Sequence, residues 1–230
     1  MAKLEILYED NHLIVINKAS GTLVQGDKTG DIPLNELVKS YIKTKYNKPG
    51  DVYLGTVHRL DRPTSGIVLF ARTSKALTRM NELFKIKDIQ KTYWAVTEKP
   101  PHSNTGLLVD FLLKNEKQNK SYVKPNNKSG AKEAELTFKL VGKGDNYSYI
   151  QVRPATGRHH QIRVQLSNIG CIIKGDLKYG AKRSNKDGLI HLHARKLEFI
   201  HPVKKEAVSI LAPPPNEVLW NEFLKLDQKK

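Results

Sequence analysis

The chain has 230 residues, 39% of them hydrophobic and 27% charged, which is enough to build a sizeable core and excludes a disordered or fibrous chain. Lysine and arginine together number 39 against 23 acidic residues, a formal net charge of +16 that no single basic block accounts for, so the surface as a whole suits a polyanionic partner such as nucleic acid. Cys171 is the only cysteine, which excludes an intramolecular disulfide and a cysteine-rich zinc site; no leader or apolar run of membrane-spanning length is visible, and a cytoplasmic protein is expected.

Residues 4–8 and 13–16 are short apolar runs separated by Glu9-Asp10-Asn11, turn chemistry that predicts an opening hairpin. Over 31–46, Leu34, Leu37, Val38 and Ile42 recur at spacings of three and four, predicting an amphipathic helix that stops around Asn47-Lys48-Pro49-Gly50. The continuous apolar run 67–70 reads as a strand buried on both faces. Ser74 follows it as a helix cap, with Leu77, Met80, Leu83 and Phe84 on one stripe. Strands are then predicted at 91–97, 106–113, 134–141 and 147–152. The Lys-, Asn-, Gly- and Ser-rich stretch 114–132 reads as a long exposed connection. A helix over 158–167, ended by Gly170, is followed by strands near 189–199 and 207–211, then Pro213-Pro214-Pro215 and a terminal helix over 217–226. With no internal repeat, one α+β domain over 1–230 with two lobes is expected.

Nine of the basic residues are arginines, and all nine fall between Arg59 and Arg79 or between Arg153 and Arg195, whereas the 30 lysines are spread throughout. The guanidinium fork suits phosphates, carboxylates and stacking, so two arginine segments suggest one site assembled from both. In the first, His58-Arg59-Leu60-Asp61-Arg62-Pro63-Thr64-Ser65-Gly66, an extended backbone sends Arg59 and Asp61 to one side and Leu60 to the other. Guanidinium neighbours favour a charged carboxylate and restrain it, as a nucleophilic or basic aspartate requires. In the second, Ala155-Thr156-Gly157-Arg158-His159-His160-Gln161-Ile162-Arg163, a turn enters a helix whose free N–H groups could hold a phosphate or carbonyl oxygen. Arg163 lies at the border of the buried stripe and needs an acidic partner. Between them, Lys91, Tyr93 and Ala95 share one strand face, where an aromatic beside a cation can stack on a base.

The run from His58 to Gly66 resembles the HRLDxxTSG signature of the RluA-type RNA pseudouridine synthases. Lys91-Thr92-Tyr93 is similar to their second motif, and Thr156-Gly157-Arg158 with His160-Gln161-Ile162-Arg163 to the third. Gly175-Asp176, Tyr179-Gly180, Leu192-His193-Ala194 and His201-Pro202 match weaker downstream signatures in the same order. The sequence departs from the pattern at Lys18-Ala19-Ser20-Gly21, where Lys-Pro-x-Gly is usual. Gln25 lies near a position commonly held by His, and His159 and Gln165 stand where Thr and His are frequent. The catalytic pattern begins by about residue 4, so no preceding S4-type RNA-binding domain is expected.

The resemblance implies a mixed, mainly antiparallel bent central sheet flanked by helices, with a cleft across its middle. It implies conversion of uridine to pseudouridine in ribosomal or transfer RNA by a monomer needing no metal and no small-molecule cofactor. Asp61 would act as nucleophile or base at the sugar, Tyr93 would stack on the uracil, and Arg163 would pair with Asp61. Arg59 would fill the space left by the flipped base, with Arg62, Lys91, Arg158 and His160 as further RNA contacts. Two other classes are weighed against it. A non-catalytic RNA-binding protein would explain the charge but not an aspartate embedded among cations. A metal-dependent nuclease would use Asp61 with His58, or Asp61 with His191 and His193, without a carboxylate cluster to complete the site. Residues 182–186 and 114–132 are further candidates for RNA contact.

Overall fold

Strand β1 (Ile6–Glu9) turns through Asp10 into β2 (Leu13–Lys18). The turn is built by Asp10, whose Oδ1 accepts from the His12 and Leu13 N–H groups at 2.8 Å each, so Glu9 belongs to the strand and not to the turn. In the computed structural model, residues 4–27, 29–127, 130–185 and 187–228 are described. They form eleven strands and four helices, an α+β fold in which every strand pair of described register is antiparallel. The chain divides into two compact units, residues 1–90 with 194–214, and residues 91–193 with 215–230.

In the first unit, β2 pairs with β4 (Ser65–Ala71), from Leu13 opposite Ala71 to Lys18 opposite Gly66. The strand order is β1-β2-β4-β10, with β10 (Leu192–Ile200) contributing its residues from Ala194 onward and β11 (Ala207–Leu211) pairing with it. All seven residues of β4 are buried, as its unbroken apolar run predicts. Ile14, Ile16, Val68 and Phe70 pack with Leu34, Val38 and Ile42 of α1 (Leu34–Lys45), each such side chain adding about 1.5–3 kcal/mol by burial. That helix starts at Leu34 and not at residue 31, because Pro33 is held extended and the Leu34 N–H is taken by Leu23 O at 2.7 Å. Helix α2 (Ser74–Lys85) is capped by Thr73, not Ser74: the extended Thr73 accepts the Ala76 N–H on its Oγ1 at 3.1 Å. The two-residue β3 (Gly55–Thr56), too short to leave a pattern, pairs with the end of β4.

The second unit has the strand order β5-β9-β8-β6-β7, formed by β5 (Ile89–Thr97, from Lys91 onward), β6 (Thr105–Asn115), β7 (Lys120–Lys124), β8 (Lys132–Lys143) and β9 (Ser148–Pro154). Helix α3 (Gln161–Asn168) packs Ile162 and Leu166 into the cluster of Ala95, Leu136, Ile150 and Val152, while α4 (Val218–Gln228) stacks Phe223 on Trp94 at 4.2 Å between ring centroids. The stretch expected to be an exposed connection contains β7, which pairs with β6 as a hairpin and buries Ser121; residues 128 and 129 lie outside the described residues. A strand of sequence KSYVK with one small polar residue facing inward has no apolar alternation to reveal it. No helix among the described residues is long and apolar enough to cross a membrane.

Candidate functional site

The Asp61 turn is set at the entry to β4. Leu60 packs against the first unit's core, Arg59 is exposed and Asp61 is half-buried. Thr64 N–H bonds to Asp61 O at 3.0 Å, closing the turn over Arg62 and Pro63. Beneath it, Lys18 at the end of β2 is 1% exposed, and its Nζ donates to the carbonyls of Ala19 (3.1 Å), Thr22 (2.9 Å) and Arg62 (3.1 Å). Burial drives this ammonium down to about 7, against the charge of Asp61, which favours protonation, and with that of Arg62, which opposes it.

Arg62 is engaged by its own fold: Nε donates to Gly21 O at 3.0 Å, Nη2 meets Asp31 Oδ2 at 2.6 Å, and its carbonyl receives the Gly21 N–H at 2.8 Å. Arg59 Nη1 reaches Gln25 Oε1 at 3.4 Å. Strand entry is enforced by Gly66, whose φ of +109° and close approach to the Ala194 backbone leave no space for a Cβ. His58 accepts the Leu69 N–H on Nε2 at 3.2 Å and stacks on Phe84, which gives it a place in the packing of β4 and α2. His201, in the His-Pro signature, is likewise built in. It is fully buried, with Nε2 3.0 Å from Asp10 Oδ2 and Nδ1 accepting the Val203 and Lys204 N–H groups.

In the second unit, Tyr93 lies opposite Val152 on β9 and packs, half-buried, against the same apolar cluster that receives Ile162 of α3. One core thus seats Tyr93 and the helix carrying Arg163. Lys91, two residues before Tyr93, is half-buried, and burial lowers its pKa. Helix α3 begins at Gln161, three residues later than expected, because His160 adopts a left-handed φ of 54°. The N–H groups read as a free anion cradle are partly used. Arg158 N–H bonds to Gln161 Oε1 at 3.0 Å, and Gln161 N–H to Arg158 O at 3.1 Å. Arg158 is exposed, with Nε on Glu133 O at 2.8 Å.

Arg163 sits deeper than the border position predicted for it, 5% exposed on a helix buried on every side from Gln161 to Leu166. Asp176 grips it bidentately, with Nε to Oδ2 at 2.7 Å and Nη2 to Oδ1 at 2.8 Å, and the ring of Tyr179 lies 5.1 Å from its Cζ. His160 is buried, and desolvation first, then Arg163, hold it far below the usual histidine range, so it contributes a neutral ring and no charge. Its Nδ1 meets the Tyr179 hydroxyl at 2.9 Å, and that same hydroxyl accepts the Ser121 N–H at 2.9 Å. His159, one of the departures from the family pattern, stacks on His160 at 3.8 Å and meets Ser121 Oγ at 2.9 Å, while Gln165 donates to Asp110 at 2.8 Å. Asp176 and Tyr179 stand in motifs the sequence displays, yet nothing in their spacing reveals that they face Arg163.

His191 and His193 pack against Trp220, with ring centroids 5.3 and 5.9 Å away, and burial takes His191 down to about 4. Asn185, in the 182–186 stretch, donates to Leu189 O at 2.6 Å and meets His191 Nδ1 at 3.0 Å, while residue 186 lies outside the described residues. Among the described residues, no three His, Cys, Asp or Glu side chains are arranged to hold a metal ion.

Residues 12–168 match the family model described as RNA pseudouridylate synthase. The chain is 36% identical over 214 residues to the ribosomal large subunit pseudouridine synthase C of Vibrio vulnificus, covering 90% of this chain and 65% of that protein's length. It is 34% identical over 221 residues to the protein of the same name from Vibrio cholerae, covering 93% and 67% respectively. Among solved structures, it is similar to human RNA pseudouridylate synthase domain containing 4, with a TM-score of 0.78 and 25% identity over 97% of this chain and 93% of that one.

Proposed function

Since the chain belongs to the RNA pseudouridylate synthase family, of the RluA type, we propose that it is an isomerase that converts uridine to pseudouridine in ribosomal RNA. The uracil is detached from C1′, turned and rejoined through C5; the C5 proton is lost and N1 gains one, so neither electrons nor external energy are consumed. A cofactor is unnecessary on this reading, self-repulsion of a chain of charge +16 favours a monomer, and a single cysteine suits a reducing cytoplasm. Asp61 acts at the sugar as nucleophile or base, Tyr93 stacks on the uracil, and Arg163 supplies a fixed cation. The exposed Arg59 replaces the flipped base, a step that costs a few kcal/mol of lost stacking. Lys91, Arg158 and the 114–132 hairpin region contact the RNA backbone. Arg62 and His160 serve it indirectly, by shaping the turns that carry Asp61 and Arg163.

The observation that carries the reading is the Asp61 turn, a carboxylate presented beside an exposed arginine and anchored from behind by Leu60, in the family's central signature. The test is tritium release from C5-labelled ribosomal and transfer RNA made in a strain lacking this gene. Wild-type protein should release tritium, and Asp61→Asn should bind the RNA equally well while losing activity by at least about a thousandfold. An active Asn variant removes the assignment of Asp61; binding without release by the wild type leaves a non-catalytic RNA-binding protein. Within the active site, Tyr93→Phe should be milder than Tyr93→Ala, and the reverse order would exclude stacking as the main role.

A further inference from the structure

A buried arginine side chain is long, and its charge alone does not give it a direction. Asp176 supplies one: it is 1% exposed, and both its oxygens lie on the Nε–Nη2 edge of Arg163. Such a grip fixes the guanidinium plane and turns the Nη1 end away from Asp176. Three residues on, Tyr179 places its ring against the guanidinium and anchors its hydroxyl to Ser121 of the hairpin and to His160.

The segment bearing both residues is itself fixed. Asp176 N–H bonds to Ile173 O, while Tyr179 and Ala181 N–H groups bond to Asp176 O, each at 3.0 Å. Ahead of it, Gly175 at φ +84° packs where a Cβ would meet Asn185 Nδ2 at 2.4 Å and Leu189 O at 2.6 Å. A buried ion pair is a poor source of net stability, since both charges lose their hydration and apolar replacements often do as well. Orientation of a functional group is a use that apolar residues cannot replace.

We propose that Asp176 is a positioning residue for Arg163, with Tyr179 as its second support, so that the guanidinium is presented to the reacting uridine in a single orientation. This deepens the proposed role of Arg163 in pseudouridine formation and rests on it. The test uses the full-length chain with Asp176→Asn, Asp176→Glu and Tyr179→Phe, read by tritium release, thermal melting and the Nε–Hε resonance of Arg163 in nitrogen-15 spectra.

A folded Asp176→Asn should lose about thirtyfold or more in kcat with KM changed less than about threefold, and its Arg163 resonance should shift and exchange faster with solvent. Asp176→Glu, which keeps the charge on a longer arm, should recover part of kcat. Tyr179→Phe, which keeps the ring but loses its anchors to Ser121 and His160, should lose less kcat than Asp176→Asn, and a larger loss would overturn Asp176 as the main support. A folded Asn variant with wild-type kcat, or one whose loss is all in KM, overturns the proposal. Should Asp176→Asn not fold, an Asp176→Glu variant with wild-type kcat and a displaced Arg163 resonance overturns it equally. If the wild type releases no tritium from any RNA, the proposed activity fails; the resonance still decides the grip, which is rejected if no Asp176 variant moves it.

Discussion

Asp61 and Arg163, the two charged residues central to the proposed chemistry, are placed by opposite means. Asp61 stands on main chain: its turn is closed by Thr64 N–H, tied through Arg62 O to Gly21 and Lys18, and continued into a strand whose seven residues are all buried. Arg163 stands on side chains, with a helix carrying it inward and the Asp176 carboxylate and the Tyr179 ring setting its direction. The first arrangement should be brittle to changes in backbone geometry and tolerant of new side chains around it. The second should be the reverse, because its stability does not depend on the charges that aim it.

The largest effect should follow from a methyl group on the main-chain side of this comparison. In Gly66→Ala the new Cβ would lie 2.3 Å from Ala194 O and 2.6 Å from Ala194 N, atoms that cannot rotate away, at a φ of +109°. We expect about 3–5 kcal/mol of destabilisation in urea melts, together with loss of the Asp61 turn. A variant within about 1 kcal/mol of wild type would show that the turn is not backbone-determined. On the side-chain arm, Arg163→Met alone strands a buried carboxylate and should cost about 3 kcal/mol, whereas Arg163→Met with Asp176→Leu should return to within about 1 kcal/mol of wild type while remaining inactive. A double variant less stable than the single one would mean that the ion pair holds the fold together, and the contrast between the two arms would disappear.

Legibility follows the same division. Strand β4 and the Asp61 turn are visible because an unbroken apolar run, a proline and a glycine are local signals, and β11 spans the expected 207–211. Arg163 is visible as a buried arginine in need of a partner. One carboxylate that grips it is hidden, since Asp176 lies 13 residues away, after a glycine turn and just ahead of a short 3-10 helix that leaves no periodicity. The hairpin strand β7 is hidden for a related reason: its inward residue is Ser121, and the hydrogen bonds that bury it come from Tyr179 and His159, neither adjacent in sequence. The left-handed His160 that delays α3 is equally unmarked, for a β-carbon makes that conformation uncommon and the surrounding packing imposes it.

The smallest effect should sharpen the comparison most, because it concerns a buried charged side chain built into the main-chain arm. Burial holds Lys18 at about 7, below its ordinary 10.5, while three carbonyls accept its protons. Between those two values the unfolded chain binds a proton that the folded one does not, so this residue makes stability rise with pH across that window; below about 7 both states are protonated and its full burial cost persists. From pH 7 to pH 9, wild type should therefore gain about 2 kcal/mol relative to Lys18→Met, measured as the difference between their urea-derived stabilities at each pH. The difference cancels the titrations the two proteins share, and the three carbonyls left without their donor lower the Met variant by an amount that does not vary with pH. A flat difference would mean that Lys18 stays protonated throughout, held by Asp61 as Asp176 holds Arg163, and that both arms rest on paired charges.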